Sequence, residues 1–100
     1  MTKNYFDLTG RVALVTGCST GLGVQMAKAL ANQGANIVAV ARRQNLIDEV
    51  AKEIAEEYGV ETMAISCDIT DTDKVNDTVK QVMDKFGRID IVIADDEMIF

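Results

Sequence analysis

The sequence predicts a three-layer α/β fold, in which a doubly wound sheet of four parallel strands is covered by three helices. Two observations lead to this prediction. Strand-like apolar runs alternate with helix-like runs along the chain, and a glycine-rich turn joins the first strand to the first helix. A chain of 100 residues with no internal linker forms a single domain with a core of its own.

The first unit begins with residues 12–16 (VALVT), an apolar run typical of a parallel strand that is covered on both faces. After the glycine turn, apolar residues recur at helical spacing, and Gly34 ends the helix. The apolar positions of this helix are Leu22, Met26, Ala27 and Leu30.

The second unit follows the same pattern. Residues 36–41 (NIVAVA) form the second strand, and the polar residues 42–45 lead into a helix that stops at Gly59. Its apolar stripe consists of Ile47, Val50, Ala51, Ile54, Ala55 and Tyr58.

The third strand is expected at residues 62–67 (TMAISC) and the fourth at residues 89–93 (IDIVI). Between them, Thr70 and Asp73 resemble a capping box at the start of a helix that Gly87 closes. The apolar stripe of this third helix consists of Val75, Val79, Val82, Met83 and Phe86.

Right-handed crossovers between these strands give the order 3-2-1-4, which is a Rossmann-like half with the third helix on the opposite face from the first two. Cys18 and Cys67 would then follow strands about 10 Å apart, which is too far for a disulfide, and both are expected to be small buried residues. The chain has no histidine and no C-x-x-C pair, so we expect no metal site.

The net charge of −6 argues against nucleic acid or an acidic membrane as a partner. Three of the acidic residues lie in an acidic tail, residues 94–100, that contains no base. No apolar run approaches the roughly 18 residues that cross a bilayer, and residues 1–9 lack the apolar segment of a signal peptide. We therefore expect a cytoplasmic protein.

The glycine turn lies where a doubly wound sheet binds its ligand, beyond the carboxyl ends of the strands where the strand order reverses. Gly17, Gly21 and Gly23 have the spacing G-x-x-x-G-x-G, and a Cβ there would hold a pyrophosphate away from the backbone or the helix away from the sheet. The helix N-terminus favours a phosphate, and Ser19 and Thr20 offer hydroxyl donors. The alternative is a glycine-rich loop without a ligand.

Four segments together resemble the short-chain dehydrogenase/reductase (SDR) family over residues 6–93. Residues 16–23 (TGCSTGLG) resemble the T-G-x-x-x-G-x-G cofactor motif, and residues 67–70 (CDIT) resemble the corner after strand 3. Residues 10–15 (GRVALV) and 87–93 (GRIDIVI) resemble the entries to strands 1 and 4. The resemblance implies the dinucleotide-binding part of an oxidoreductase that transfers hydride between alcohols and ketones.

The resemblance also implies residue roles. Backbone groups of Ser19, Thr20, Gly21 and Leu22 would contact the pyrophosphate. Asp68 would accept a hydrogen bond from the adenine amino group while Ile69 packs beside the ring. The alternative for Asp68 is a turn residue.

The end of the second strand favours NADP(H) over NAD. An NAD enzyme usually has Asp or Glu there to bind the ribose hydroxyls, whereas this chain has Ala41 followed by Arg42 and Arg43. A guanidinium forms paired hydrogen bonds with a phosphate. The alternative is a solvated basic pair that opens a helix.

The chain departs from the family pattern after strand 4, where N-N-A-G is replaced by residues 94–97 (ADDE). The carboxylates of Asp95, Asp96 and Glu97 near a pyrophosphate would cost about 1–2 kcal/mol for each like-charge pair. The family's catalytic Ser and Tyr-x-x-x-Lys lie in a second half that we expect this truncated chain to lack. We therefore assign no catalytic residue, and neither Tyr5 nor Tyr58 is a candidate. We expect the chain to be inactive on its own.

Two alternatives remain open at this stage: a stand-alone nucleotide-binding module, and a truncated or engineered half-Rossmann unit without activity. The fourth strand is also expected to expose an apolar edge at residues 91–93, through which copies could self-associate.

Overall fold

The structure, a computed structural model, describes residues 7–17, 21–68, 70–94 and 97–98, with the backbone alone at residues 94, 97 and 98. Strands and helices alternate along these residues, as the sequence predicts. The elements are β1 (Val12–Thr16), α1 (Gly21–Asn32), β2 (Asn36–Ala41), α2 (Gln44–Tyr58), β3 (Thr62–Ser66), α3 (Thr72–Phe86), β4 (Ile91–Ala94) and β5 (Glu97–Met98). Three strand boundaries differ from the prediction: β3 ends at Ser66, and β4 begins at Ile91 and ends at Ala94.

The sheet has the order β3-β2-β1-β4-β5, and its first four strands are parallel. This confirms the predicted Rossmann-like order 3-2-1-4. In the register of the sheet, Thr16 lies opposite Val40, and Ala41 lies opposite Ser66. The carboxyl ends of the parallel strands therefore form one continuous edge of the sheet.

The two central strands form the core because helices cover both faces. All of β1 is buried, as is β2 apart from its first residue. Ala27 of α1 and Ile47 of α2 pack on one face, and Val82 of α3 packs on the other. Full burial of side chains such as Ile47 contributes about 1.5–3 kcal/mol each. Within the described residues, no helix is long and apolar enough to span a membrane.

Three residues of the predicted apolar stripes are exposed instead. Leu22 is 50% exposed in the first turn of α1, and Val79 and Met83 are exposed on α3. In the described residues, α3 is the one helix on its face of the sheet, so its flank has no neighbouring helix to bury these side chains. Cys67 is a buried free cysteine, as predicted, whereas Cys18 lies outside the described residues.

The N-cap of α3 corrects the sequence prediction. The side chain of Asp71, rather than Thr70, accepts hydrogen bonds from the backbone N–H groups of Asp73 (3.1 Å) and Lys74 (3.3 Å). The Thr70 hydroxyl points the other way and donates to Asp68 at 2.7 Å. The predicted helix stops are confirmed, since Gly59 and Gly87 cap α2 and α3 in the left-handed conformation.

The short antiparallel strand β5 is not predicted by the sequence. It pairs Ile93 with Met98 and Ala94 with Glu97 on the side of β4 that faces away from β1. The prediction of an unpaired edge is therefore wrong at Ile93. Of the apolar residues of β4, Ile91 and Val92 lie beyond the pairs that β5 forms.

Candidate functional site

The candidate site lies along the carboxyl ends of the parallel strands, where Gly17, Arg42 and Cys67 directly follow β1, β2 and β3. The strand order reverses at β1, which has β2 on one side and β4 on the other. The Thr16 hydroxyl donates to the Ile93 carbonyl (3.3 Å) across this reversal point. Ligands of doubly wound sheets bind at such a point.

The glycine turn leaves open space beside β1. Gly17 has a φ of +67°, in the left-handed region that favours glycine. A Cβ added at Gly17 or at Gly21, the first residue of α1, would have no described atom within 4 Å. Gly23 differs, because it is buried within α1. Within the part of the chain that the structure describes, no atom fills the space beside the first two glycines, and the third lies in the packed helix.

The N-terminus of α1 faces the same end of the sheet. Its first turn contains no acidic residue, so no side-chain carboxylate there offsets the positive end of the helix dipole. Leu22 is exposed in this turn. The predicted ligand contacts of Ser19 and Thr20 lie outside the described residues, as do Ile69, Asp95 and Asp96.

The two arginines that follow β2 are accessible. Ala41 is buried at the end of the strand, whereas the Arg42 side chain is 73% exposed, and its Nη2 lies 3.5 Å from Asp68 Oδ1. Arg43 is exposed and occupies the N-cap position of α2 without a side-chain capping hydrogen bond. Among the described residues, Arg43 has no ion-pair partner. Both guanidinium groups can therefore meet an anion from solution.

Asp68 is held in a turn directly after β3. Its Oδ1 accepts hydrogen bonds from the Thr70 hydroxyl (2.7 Å) and the Thr70 backbone N–H (3.0 Å). These two bonds, more than the charges of Arg42 and Lys74, lower the pKa of Asp68 below its usual value, although partial burial acts in the opposite direction. The carboxylate is ionised at neutral pH and is only an acceptor. Asp68 therefore has the role of a turn residue, and the contacts just described involve its Oδ1 atom rather than Oδ2.

The sequence did not predict a hydrogen-bond network that joins the end of β3 to the backbone around the arginine pair. The Ser66 hydroxyl donates to the Arg42 carbonyl (2.8 Å), and Gln44 Oε1 accepts from the Ser66 N–H (3.2 Å). The Cys67 N–H donates to the Ala41 carbonyl (2.9 Å). The signal in the sequence is slight: a polar residue ends the third strand, and an amide follows the arginine pair.

Comparison with known proteins gives a consistent result. A family model described as short chain dehydrogenase matches residues 11–95. A probable NADP-dependent mannitol dehydrogenase of Yarrowia lipolytica is 39% identical over 89 residues, which cover 89% of this chain and 32% of that protein. L-Sorbose reductase from Gluconobacter frateurii, solved in complex with NADPH and L-sorbose, has a TM-score of 0.83 and 34% identity, covering 87% of this chain and 33% of that one.

The similar structures were solved with different dinucleotide cofactors. An NAD+-bound xylitol dehydrogenase has a TM-score of 0.81 and 32% identity, covering 85% of this chain and 32% of that one. The chain spans about a third or less of the length of the curated relatives it matches. Since the family model covers most of the residues, and the strand order agrees with the predicted one, the chain belongs to the short chain dehydrogenase family.

Proposed function

We propose that the chain binds NADP(H) as the cofactor-binding part of an oxidoreductase of this family. The observation that carries the proposal is the exposed pair Arg42 and Arg43 at the carboxyl end of β2, next to Ala41. Two guanidinium groups there suit a 2′-phosphate, and an apolar residue replaces the carboxylate that would repel it.

The glycine turn supports the same ligand. The space beside Gly17 and Gly21, which no described residue fills, would let a pyrophosphate approach the backbone, and the N-terminus of α1 favours its charge. We assign the contacts with the pyrophosphate to the segment that includes Ser19, Thr20 and Leu22. The buried Gly23 allows α1 to lie close to the sheet.

The third part of the proposed site binds the adenine. Asp68 follows β3, two strands from the glycine turn, and its carboxylate is held by Thr70 through Oδ1. We propose that Oδ2 accepts a hydrogen bond from the adenine amino group and that Ile69 packs against the ring. The ion pair between Asp68 and Arg42 then brings the adenine acceptor and the phosphate donor to the same ligand.

The residues of this chain bind and orient the cofactor. NADP(H), when bound, supplies the hydride that an oxidoreductase of this family exchanges with an alcohol or ketone. We assign no catalytic residue here. Tyr58 packs against the core cluster beside α1, and partial burial followed by the charge of Glu57 raises its pKa, which does not suit a proton donor in a cleft.

The test of the proposal is a calorimetric titration of the chain with NADPH and NADH. We expect NADPH to bind at least about tenfold more tightly, and Arg42→Ala and Arg43→Ala each to reduce that ratio. Lys52→Ala is the matched control, because Lys52 is an exposed cation of α2 that lies 4.0 Å from Glu56.

Equal affinities for the two dinucleotides would contradict the preference for NADP(H). The absence of binding at millimolar ligand would contradict the binding function altogether. An absorbance assay at 340 nm with NADPH and a ketose tests the expected inactivity, and turnover by the purified chain would show that a catalytic group had been overlooked.

A further inference from the structure

We infer that Ser66 and Gln44 are positioning residues that hold the arginine pair in place and thereby contribute to selectivity for the 2′-phosphorylated dinucleotide. The inference rests on the proposed function and concerns residues outside the glycine turn and the arginine pair themselves. It follows from how β3 holds the segment between β2 and α2.

The first tie is at the end of β2. The Cys67 N–H donates to the Ala41 carbonyl (2.9 Å), which continues the backbone pairing of β2 with β3. The Ser66 hydroxyl then donates to the carbonyl of Arg42 (2.8 Å), one residue beyond the last paired position of β2. A side chain thus extends the ladder to the first arginine.

The second tie is at the start of α2. Gln44 Oε1 accepts from the Ser66 N–H (3.2 Å), and Gln44 Nε2 donates to Asp48 Oδ1 (2.8 Å) and the Ala64 carbonyl (3.4 Å). The amide group therefore joins the first turn of α2 to the edge strand β3. Gln44 directly follows Arg43, so the two-residue connection between β2 and α2 is held at both ends.

Holding the backbone of Arg42 and Arg43 reduces the conformational freedom that phosphate binding must remove. The guanidinium groups stay exposed, because the hydrogen bonds of Ser66 and Gln44 do not use guanidinium donors. The glycine turn follows β1, which β2 separates from β3 and Ser66. Loss of a tie should therefore weaken ligands with a 2′-phosphate more than ligands without one.

The chain offers a matched control on α3. Gln81 Nε2 donates to Asp77 Oδ2 (3.0 Å), with the same side chain and the same spacing of four residues as Gln44 and Asp48. Gln81 is exposed, and α3 packs on the other face of the sheet. Replacement of Gln81 therefore removes an equivalent helix-surface hydrogen bond without touching the connection after β2.

The experiment titrates adenosine 2′,5′-bisphosphate and AMP, which differ by the 2′-phosphate, into the full chain and its variants. We expect Ser66→Ala and Gln44→Ala to weaken binding of the bisphosphate about fivefold, the effect of one typical hydrogen bond, and binding of AMP less than about twofold. Ser66→Thr keeps the hydroxyl and should bind as the wild type does. Gln81→Ala should leave both affinities unchanged.

Equal effects of Ser66→Ala on the two ligands, or none on either, would overturn the inference. Failure of Ser66→Thr to retain the affinity of the wild type would do the same, and this variant still provides a test if Ser66→Ala does not fold. The proposed function fails separately, if the wild type does not distinguish the bisphosphate from AMP or if Arg42→Ala changes neither affinity.

Discussion

Asp90 accepts a hydrogen bond from the backbone N–H of Val12 at 2.9 Å, and so joins the approach to β4 to the first residue of β1. Arg88 donates two hydrogen bonds of 2.8 Å to the same carboxylate, and Arg11 lies 3.4 Å away. The bonds from Arg88 are the main cause of a pKa of about 2 for Asp90, which burial alone would raise. This pairing fixes the amino end of β1 beside that of β4. The carboxyl ends of the same two strands flank the proposed cofactor site.

The pairing predicts an acid-dependent loss of stability. Because the folded pKa of Asp90 is lower than its unfolded value of 3.8, its contribution is present above about pH 4 and is lost as the pH falls through about 2. The shift corresponds to at most about 2–3 kcal/mol. Asp90→Asn should lower the free energy of unfolding by about 1–2 kcal/mol at pH 7, measured by urea titration.

The difference between the wild type and Asp90→Asn should then shrink between about pH 4 and pH 2. Asp84→Asn, at an exposed position of α3, is the control and should stay close to the wild type. A difference between Asp90→Asn and the wild type that stayed constant across this range would contradict the role of the ionised carboxylate.

The cap of α3 makes a second prediction. Asp71→Ala removes the acceptor for two backbone N–H groups and should cost about 1 kcal/mol of unfolding free energy. Asp71→Ser should retain most of the stability, because a serine hydroxyl is also a good N-cap acceptor. Asp77→Ala, which loses the contact with Gln81, should cost a few tenths of a kcal/mol. If Asp71→Ala and Asp77→Ala had equal costs, the assignment of the cap would be wrong.

Substitution of two glycines that both have a left-handed backbone can distinguish the cost of backbone strain from the cost of a steric contact. A Cβ at Gly34 (φ +100°) would lie 2.6 Å from Thr9 Oγ1 and 3.0 Å from the Thr9 nitrogen, whereas a Cβ at Gly59 (φ +70°) has nothing within 4 Å. Gly59→Ala should cost about 1 kcal/mol for the backbone alone, and Gly34→Ala should cost more. Thermal unfolding of the two variants measures the difference, and equal midpoints would show that Thr9 gives way freely.

The end of β2 makes a prediction about cofactor preference. Ala41→Asp would place a carboxylate beside Arg42, where it repels a 2′-phosphate and can accept from ribose hydroxyls. We expect the ratio of NADPH to NADH affinity to fall at least about tenfold. Ala41→Asn is the uncharged control of similar size. If the aspartate and asparagine variants behaved alike in a titration, the effect would be steric and the electrostatic argument would fail.

The sequence allowed most of the sheet to be predicted, because buried parallel strands are apolar on both faces. The bounds of β2 (Asn36–Ala41) agree with the prediction for this reason. The start of β4 was not predictable, because it depends on contacts with β1. The Asp90 carboxylate accepts from the Val12 N–H and the Asp90 N–H donates to the Val12 carbonyl (2.9 Å), whereas the strand register begins with the pair of Ala13 and Ile91. Strand β5 has two residues, which is too short for a periodic pattern to be recognised.

The candidate site divides in the same way. The positions of Gly17 and Arg42 follow from where their strands end, so the sequence alone places both at one edge of the sheet. The contacts of Ser66 with Arg42 and Gln44 depend on the register between β2 and β3, across more than 20 residues of sequence. Likewise, the choice of Asp71 over Thr70 as the cap depends on the local backbone angles, which residue type does not fix.

The β4–β5 pairing predicts how the chain associates. Met98→Pro removes a backbone N–H and disfavours the antiparallel strand, so it should expose more of β4 and increase self-association. Sedimentation at several concentrations measures the effect, with Met63→Leu in the opposite edge strand β3 as a control that keeps its N–H. A purely monomeric Met98→Pro variant would show that the edge of β4 does not recruit partners.

Because Glu97 and Met98 run antiparallel along β4, Ile93 and Ala94 are already paired on the outer side of this strand. A further parallel strand, whether supplied in cis or by another polypeptide, would have to displace β5 or stop short of it. Pairing of a new strand along the whole of β4 would therefore require the two residue pairs between β4 and β5 to open first.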